Sequence, residues 1–207
     1  MIRIAVLLFL ALQTNSQPHV ILALGDSMTA GYGVAVELSY PAQLEKELKN
    51  RGYDCRVVNQ GVTGNTSTQV MGRLNRALAL QPEIVIIQIG GNDVSQGIPR
   101  DVSRKNVRTM FERFKPGGAR IFFAGGRFPY LDEVATELGV PVIPFLEGVR
   151  GHPDLLLADG AHPTAEGYAI VVRNIVKALE PVIHLGAGRG AAPRAPATGG
   201  LGYTPKP

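Results

Sequence analysis

Tryptophan is absent from this 207-residue chain, cysteine occurs once, and aromatic residues make up only 6% of it. The single cysteine, Cys55, excludes an intramolecular disulfide and a cysteine-based zinc site. Its setting, Tyr53-Asp54-Cys55-Arg56-Val57-Val58, reads as the start of a strand. Cys55 is therefore expected to be a small core residue and not a reactive thiol. Long apolar runs are also missing. The longest near the start, Ile4 to Leu12, falls well short of the ~20 residues that span a bilayer, so no stable membrane insertion is expected.

An excess of one charge is lacking too, once the charges are located. The formal net charge is +4. Arg189, Arg194 and Lys206 supply three of these charges in a C-terminal segment without acids, and Arg3 supplies the fourth. The body is close to neutral and offers no basic stripe for phosphates, so no nucleic-acid partner is expected.

The composition, 45% hydrophobic and 18% charged, fits one globular domain of ordinary size. Met1-Ile2-Arg3, the apolar stretch to Leu12 and the polar Gln13–Gln17 follow the pattern of a secretory signal peptide covering residues 1–16. That pattern implies a periplasmic or secreted protein. From His184 to Pro207 the chain turns to Gly, Ala and Pro and cannot bury enough surface to offset its entropy, so a disordered tail is expected there. Gly186-Ala187-Gly188-Arg189-Gly190 follows no strand and is not read as a phosphate-binding loop.

Between these ends, residues 17–183 alternate strand and helix signals. Apolar, β-branched runs at His19–Leu24, Cys55–Val58, Ile84–Ile89, Arg120–Ala124 and Val140–Ile143 predict strands buried on both faces of a parallel sheet. Ser39-Tyr40-Pro41 predicts a helix start with Ser39 as cap, followed by Leu44 and Leu48 on one face. Val107, Met110, Phe111 and Phe114 predict a helix stopped by Pro116-Gly117-Gly118. Tyr168, Val172, Ile175 and Leu179 predict a last helix ending before Pro181. The alternation implies a doubly wound α/β fold.

Four short blocks carry polar residues into this framework: Gly25-Asp26-Ser27-Met28, Asn59-Gln60-Gly61, Gly90-Gly91-Asn92-Asp93 and Asp159-Gly160-Ala161-His162. Taken singly, each has an ordinary explanation as a turn or a strand-end loop. Jointly, they fall after predicted strands and would meet at the carboxyl edge of the sheet, where open α/β sheets form their sites. Ser27 supplies a hydroxyl nucleophile and His162 an imidazole base, with Asp159 three residues earlier to orient it. Ser27 N–H, Gly61 N–H and the Asn92 amide are candidate donors to a developing oxyanion. His19, His152 and His184 have no comparable partner and are read as structural or exposed.

These residues resemble the SGNH, or GDSL-type, hydrolase family, whose blocks contribute Ser, Gly, Asn and His. Met28 stands where the family motif has Leu. The runs Gly25–Gly33, Ser39-Tyr40-Pro41 and Pro141–Phe145 are similar to the thioesterase I/lysophospholipase L1 and arylesterase branch, over about His19 to Ile183. The resemblance implies a flavodoxin-like three-layer α/β/α sandwich with a five-stranded parallel sheet. It also implies metal-free and cofactor-free hydrolysis of carboxylic esters, acyl thioesters or lysophospholipids. Ser27, Asp159 and His162 would then be the triad, and Ser27, Gly61 and Asn92 the oxyanion hole. The alternatives are a carbohydrate deacetylase of the same superfamily and a non-catalytic acyl- or lipid-binding module.

The family has a longer loop where Arg127-Phe128-Pro129 here bridges Gly126 to Tyr130, at a place that borders the substrate groove in related enzymes. The Gly25–Thr29 run lacks the second glycine of the α/β-hydrolase elbow, which excludes that fold. With no tryptophan, a modest apolar groove and short to medium acyl chains are expected.

Overall fold

The computed structural model describes residues 18–186. The expected signal peptide and most of the expected tail lie outside the described residues. In chain order the elements are β1 His19–Gly25, α1 Ser27–Ala30, α2 Tyr40–Asn50, β2 Cys55–Gly61, α3 Ser67–Gly72 and α4 Leu74–Leu78. They continue as β3 Ile84–Gln88, α5 Gly91–Ser95, α6 Arg100–Phe114, β4 Arg120–Gly125, α7 Pro129–Glu137, β5 Val142–Pro144 and α8 Ala165–Gly186.

All strand pairs are parallel, in the order β2-β1-β3-β4-β5. Side chains alternate across the sheet, so each strand feeds two cores. Ile21, Ala23, Ile84, Ile86, Phe122 and Ala124 face α2 and α8, where Leu44, Leu48, Tyr168, Ile175 and Leu179 pack. Leu22, Leu24, Val85, Ile87, Ile121 and Phe123 face α3, α4, α6 and α7, where Val70, Leu74, Phe111 and Val134 pack. The inner strands β1, β3 and β4 are largely buried on both faces, which explains their apolar runs, whereas the edge strand β2 leaves Arg56 and Asn59 exposed, against the expectation. Helices on both faces make the three-layer α/β/α sandwich. Phe111 meets Phe123 edge-on at 5.8 Å between ring centroids. Truncating such a buried phenylalanine typically costs 3–5 kcal/mol.

The strand order reverses between β1 and β3. The chain leaves β1 toward α2 on one face and leaves β3 toward α6 on the other, which opens a crevice at the carboxyl ends of these two neighbours. That crevice holds the site.

Three local expectations are corrected. α8 does not stop before Pro181 but runs through it to Gly186; partly buried Val182 and Ile183 pack on the core beyond it, so tertiary contact outweighs the lost N–H. Ser39 holds the cap position of α2, yet its hydroxyl donates backward to Val36 O at 2.6 Å and caps no helix N–H. The last strand starts at Val142, because the Val140 N–H donates to Ala135 O at 2.8 Å and closes the end of α7. Cys55 is buried as expected, and burial pushes its thiol up to about 11.

Candidate active site

Ser27 is placed by the tight turn that ends β1. Asp26 caps α1, its Oδ1 accepting from Met28 N at 3.0 Å, and Ser27 follows as the first helical residue. The turn sits hard against its neighbours. A Cβ on Gly25 would lie 2.4 Å from Gln88 O, and one on Gly61 would lie 2.1 Å from Ala30 N. From the far side, the Tyr168 hydroxyl on α8 donates to Met28 O at 2.9 Å. Ser27 is 8% exposed and Asp26 only 2%.

His162 arrives from a loop that is stitched mainly to itself. Leu157 N donates to His162 O at 2.7 Å, and Gly160 N donates to Leu157 O at 2.8 Å. Gly160 takes φ 65°, the left-handed conformation that favours glycine. Asp159 Oδ1 accepts from Ala161 N at 2.9 Å and His162 N at 3.0 Å, while its Oδ2 lies 2.7 Å from His162 Nδ1. These N–H groups and the imidazole hold the Asp159 carboxyl down at about 2. A carboxylate on Nδ1 assigns the proton there, which leaves Nε2 free to accept. Nε2 lies 2.8 Å from Ser27 Oγ. The Tyr32 ring sits 4.7 Å from the imidazole and flanks it.

Asn92 enters from β3 at the start of α5, and its Nδ2 donates to Asn65 O at 3.1 Å. Gln96 Nε2 adds a bond to Gly64 O at 3.0 Å, so the β3 and β2 loops are joined twice. Asp93 anchors α5 from below. It is fully buried and accepts from Ser67 N at 2.8 Å, Ser67 Oγ at 2.5 Å and Ser103 Oγ at 2.7 Å.

Ser27, Asp159, His162 and Asn92 are thus gathered at one edge. Gly61 is different. Its N–H donates to Asn59 Oδ1 at 2.8 Å, and its α-carbon faces the α1 backbone. The nearby Val62–Asn65 turn closes through Asn65 N to Val62 O at 3.1 Å, with Gly64 at φ 83° and open space over its α-carbon.

The cleft measures about 250 Å³. Ser27, His162 and Asn92 stand in it beside an apolar wall of Ile89, Phe123, Phe128, Phe145 and Leu146, with Arg127 also lining it. Arg127 lies over the Phe128 ring at 5.3 Å. The short Arg127-Phe128-Pro129 bridge therefore borders the cleft directly.

Sequence reading missed three supports. Burial raises the Asp26 carboxyl to about 6 despite the Met28 N–H and the nearby His162 and Gln88. Asp93 and Arg73 are the other two, and Arg73 donates to the ends of β1 and β2 and to the Asn65 side chain. The first two lie inside the polar blocks Gly25–Met28 and Gly90–Asp93, which was their available signal; Arg73 had none. Among the described residues, no group of three His, Cys, Asp or Glu side chains is placed to hold a metal ion.

Residues 23–170 match the GDSL-like Lipase/Acylhydrolase family. The chain is 30% identical over 187 residues to "Esterase TesA" of Pseudomonas aeruginosa, covering 83% of this chain and 93% of that protein. It is 32% identical over 196 residues to an arylesterase of Vibrio mimicus, covering 86% and 98%. Among solved structures, a TesA crystal structure superposes with a TM-score of 0.74 at 31% identity, covering 79% of this chain and 99% of that one. The SGNH-hydrolase family esterase AlinE4 superposes with a TM-score of 0.65 at 32% identity, covering 84% and 99%. With the crevice, the aligned serine and histidine and these likenesses together, the chain belongs to the GDSL-like lipase/acylhydrolase family, as a serine hydrolase of ester bonds.

Proposed function

We propose that Ser27, His162 and Asp159 hydrolyse small acyl esters through an acyl-enzyme. The observation that carries this reading is the unbroken hydrogen-bond chain from Ser27 Oγ through His162 to Asp159, at 2.8 and 2.7 Å, beside an apolar cleft. Ser27 Oγ attacks the acyl carbonyl while Nε2 of His162 takes its proton. Asp159 stabilises the imidazolium that forms. His162 then hands the proton to the departing alcohol or thiol, and the acyl group remains on Ser27. Water enters next, with His162 again as base, and releases the carboxylic acid.

The oxyanion is received by Ser27 N–H and the Asn92 amide. For the glycine donor we assign Gly64 in place of Gly61, because the Gly61 N–H is already given to Asn59 Oδ1 and the Val62–Asn65 turn bond uses Asn65 N–H, not Gly64 N–H. Phosphonylation of Ser27 should move the Gly64 amide resonance. A shift at Gly61 with none at Gly64 would return the role to Gly61.

A cleft of about 250 Å³ with aliphatic and phenylalanine walls suits short to medium acyl chains. Thioesters and lysophospholipids fall within the same chemistry, as the names of the relatives suggest, including an Escherichia coli "Thioesterase 1/protease 1/lysophospholipase L1" that is 28% identical. The Ile4–Leu12 run supports export to the periplasm or beyond. Among the described residues no helix is long and apolar enough to cross a membrane. The deciding experiment is a panel of nitrophenyl esters and acyl thioesters of graded chain length, with a fluorophosphonate probe on wild type and Ser27→Ala. Turnover that peaks at short to medium chains, with labelling lost in Ser27→Ala, is expected; an unlabelled wild type would refute the acyl-enzyme.

A further inference from the structure

Arg73 sits in the break between α3 and α4, and its guanidinium is half-buried. Its donors are spent on three acceptors from three places: Nη2 to Gly25 O at 2.8 Å, Nη1 to Gln60 O at 2.8 Å and Nε to Asn65 Oδ1 at 3.0 Å. None of these acceptors is charged. Arg51, Arg104 and Arg108, by contrast, pair with carboxylates at the surface. Among the described residues no carboxylate pairs with Arg73, so ion pairing does not account for the burial of this cation.

What the three acceptors share is their position around the nucleophile. Gly25 is the last residue before the Asp26–Ser27 turn, and its carbonyl also accepts from Val62 N at 3.1 Å. Gln60 is the next-to-last residue of β2, the strand beside it. Asn65 receives Arg73 on its side chain and Asn92 Nδ2 on its carbonyl. One rigid, planar fork therefore spans the nucleophile turn, the β2 edge and the loop to which Asn92 is bonded.

We infer that Arg73 is a positioning residue for acyl transfer, fixing the distance between Ser27 and the oxyanion donors without touching substrate. This rests on Ser27 as the nucleophile. Misplacing catalytic groups by about 1 Å costs roughly 100-fold in rate, and a lysine ammonium, whose three donors share one nitrogen, does not reproduce the spread of the planar fork.

The test uses the full chain carrying Arg73→Met, Arg73→Lys or, as a control, Arg104→Met, whose guanidinium also bonds three groups (Tyr130 O, Glu133, Glu137), all on α7 and none in the nucleophile turn. Arg73→Met should lower kcat by about 100-fold with KM unchanged, and slow fluorophosphonate labelling of Ser27 in step. Arg73→Lys should fall between, and added guanidinium should restore part of the Arg73→Met rate. Arg104→Met should lose thermal stability but not kcat. A folded Arg73→Met with wild-type kcat overturns the inference, as does an unrescued loss that Arg104→Met shares. If Arg73→Met does not fold, Arg73→Lys decides: a kcat equal to wild type overturns the inference. Failure of the wild type to label counts against Ser27 as nucleophile instead.

Discussion

The nucleophile end and the base end of the hydrogen-bond chain are held by opposite means. Ser27 is buried in a turn whose supports come from afar: Gln88 and Gly61 crowd it, Tyr168 bonds it from α8, and Arg73 bonds it from the other face. His162 rides on a loop whose bonds run mostly between residues 155 and 164, and the Asp159 side chain is 39% exposed. The hydroxyl is fixed by the fold, and the imidazole is fixed by its own neighbours. Damage to the first should therefore spread into stability, and damage to the second should stay in the chemistry.

The sharpest trial of this contrast is removal of the reacting groups. Ser27→Ala should cut turnover by about a millionfold, and Asp159→Asn by about ten-thousandfold. Esterase assays with melting curves on the same samples should show Asp159→Asn still folded. Next in size is Asn92→Ala, expected to lower kcat by roughly 100- to 1000-fold with folding nearly intact. Wild-type turnover in that variant would remove Asn92 from the oxyanion hole.

Two glycines compare the ends directly. Gly61→Ala drives a methyl to 2.1 Å from Ala30 N, backbone against backbone, and should destabilise by about 1–3 kcal/mol or more. Gly160→Ala meets no atom within 4 Å and costs only the strain of φ 65°, about 1 kcal/mol. Denaturant midpoints would expose the contrast, and equal losses would break it.

The subtlest difference lies in pH. Asp26 is raised from 3.8 to about 6, so its contribution is intact below pH 3.8 and lost as pH rises through about 6. Asp159 is lowered from 3.8 to about 2, so its contribution is present above pH 3.8 and lost as pH falls through about 2. Asp26→Asn should thus raise Tm at pH 8 and not at pH 3.5. Asp159→Asn should lower it slightly at pH 7, with the deficit fading toward pH 2. Parallel pH profiles for the two variants would refute the assignment.

The same division sets what could be read in the sequence. Asp159-Gly160-Ala161-His162 is legible because its geometry is local: carboxylate, left-handed glycine and imidazole lie within four residues. Strands are legible because burial on both faces leaves plain apolar runs, as at Ile84–Gln88. Arg73 was invisible, since nothing near it in the chain reports that its acceptors come from residues 25, 60 and 65. Gly61 stands out in the sequence for its bare N–H, and in the structure glycine there also answers the crowding of α1. Pro181 misled for a related reason, because a helix-breaking rule cannot see the core packing that carries α8 past it.

The lone thiol, Cys55, has a practical consequence. Buried, and reluctant to ionise until about pH 11, it should ignore maleimides in the folded protein. A cysteine introduced at exposed Val94, two residues from Asn92, would then be the only thiol in the described fold open to a dye. Motion of the loop that carries Asn92 during turnover could be followed by fluorescence without first removing the native thiol from the core.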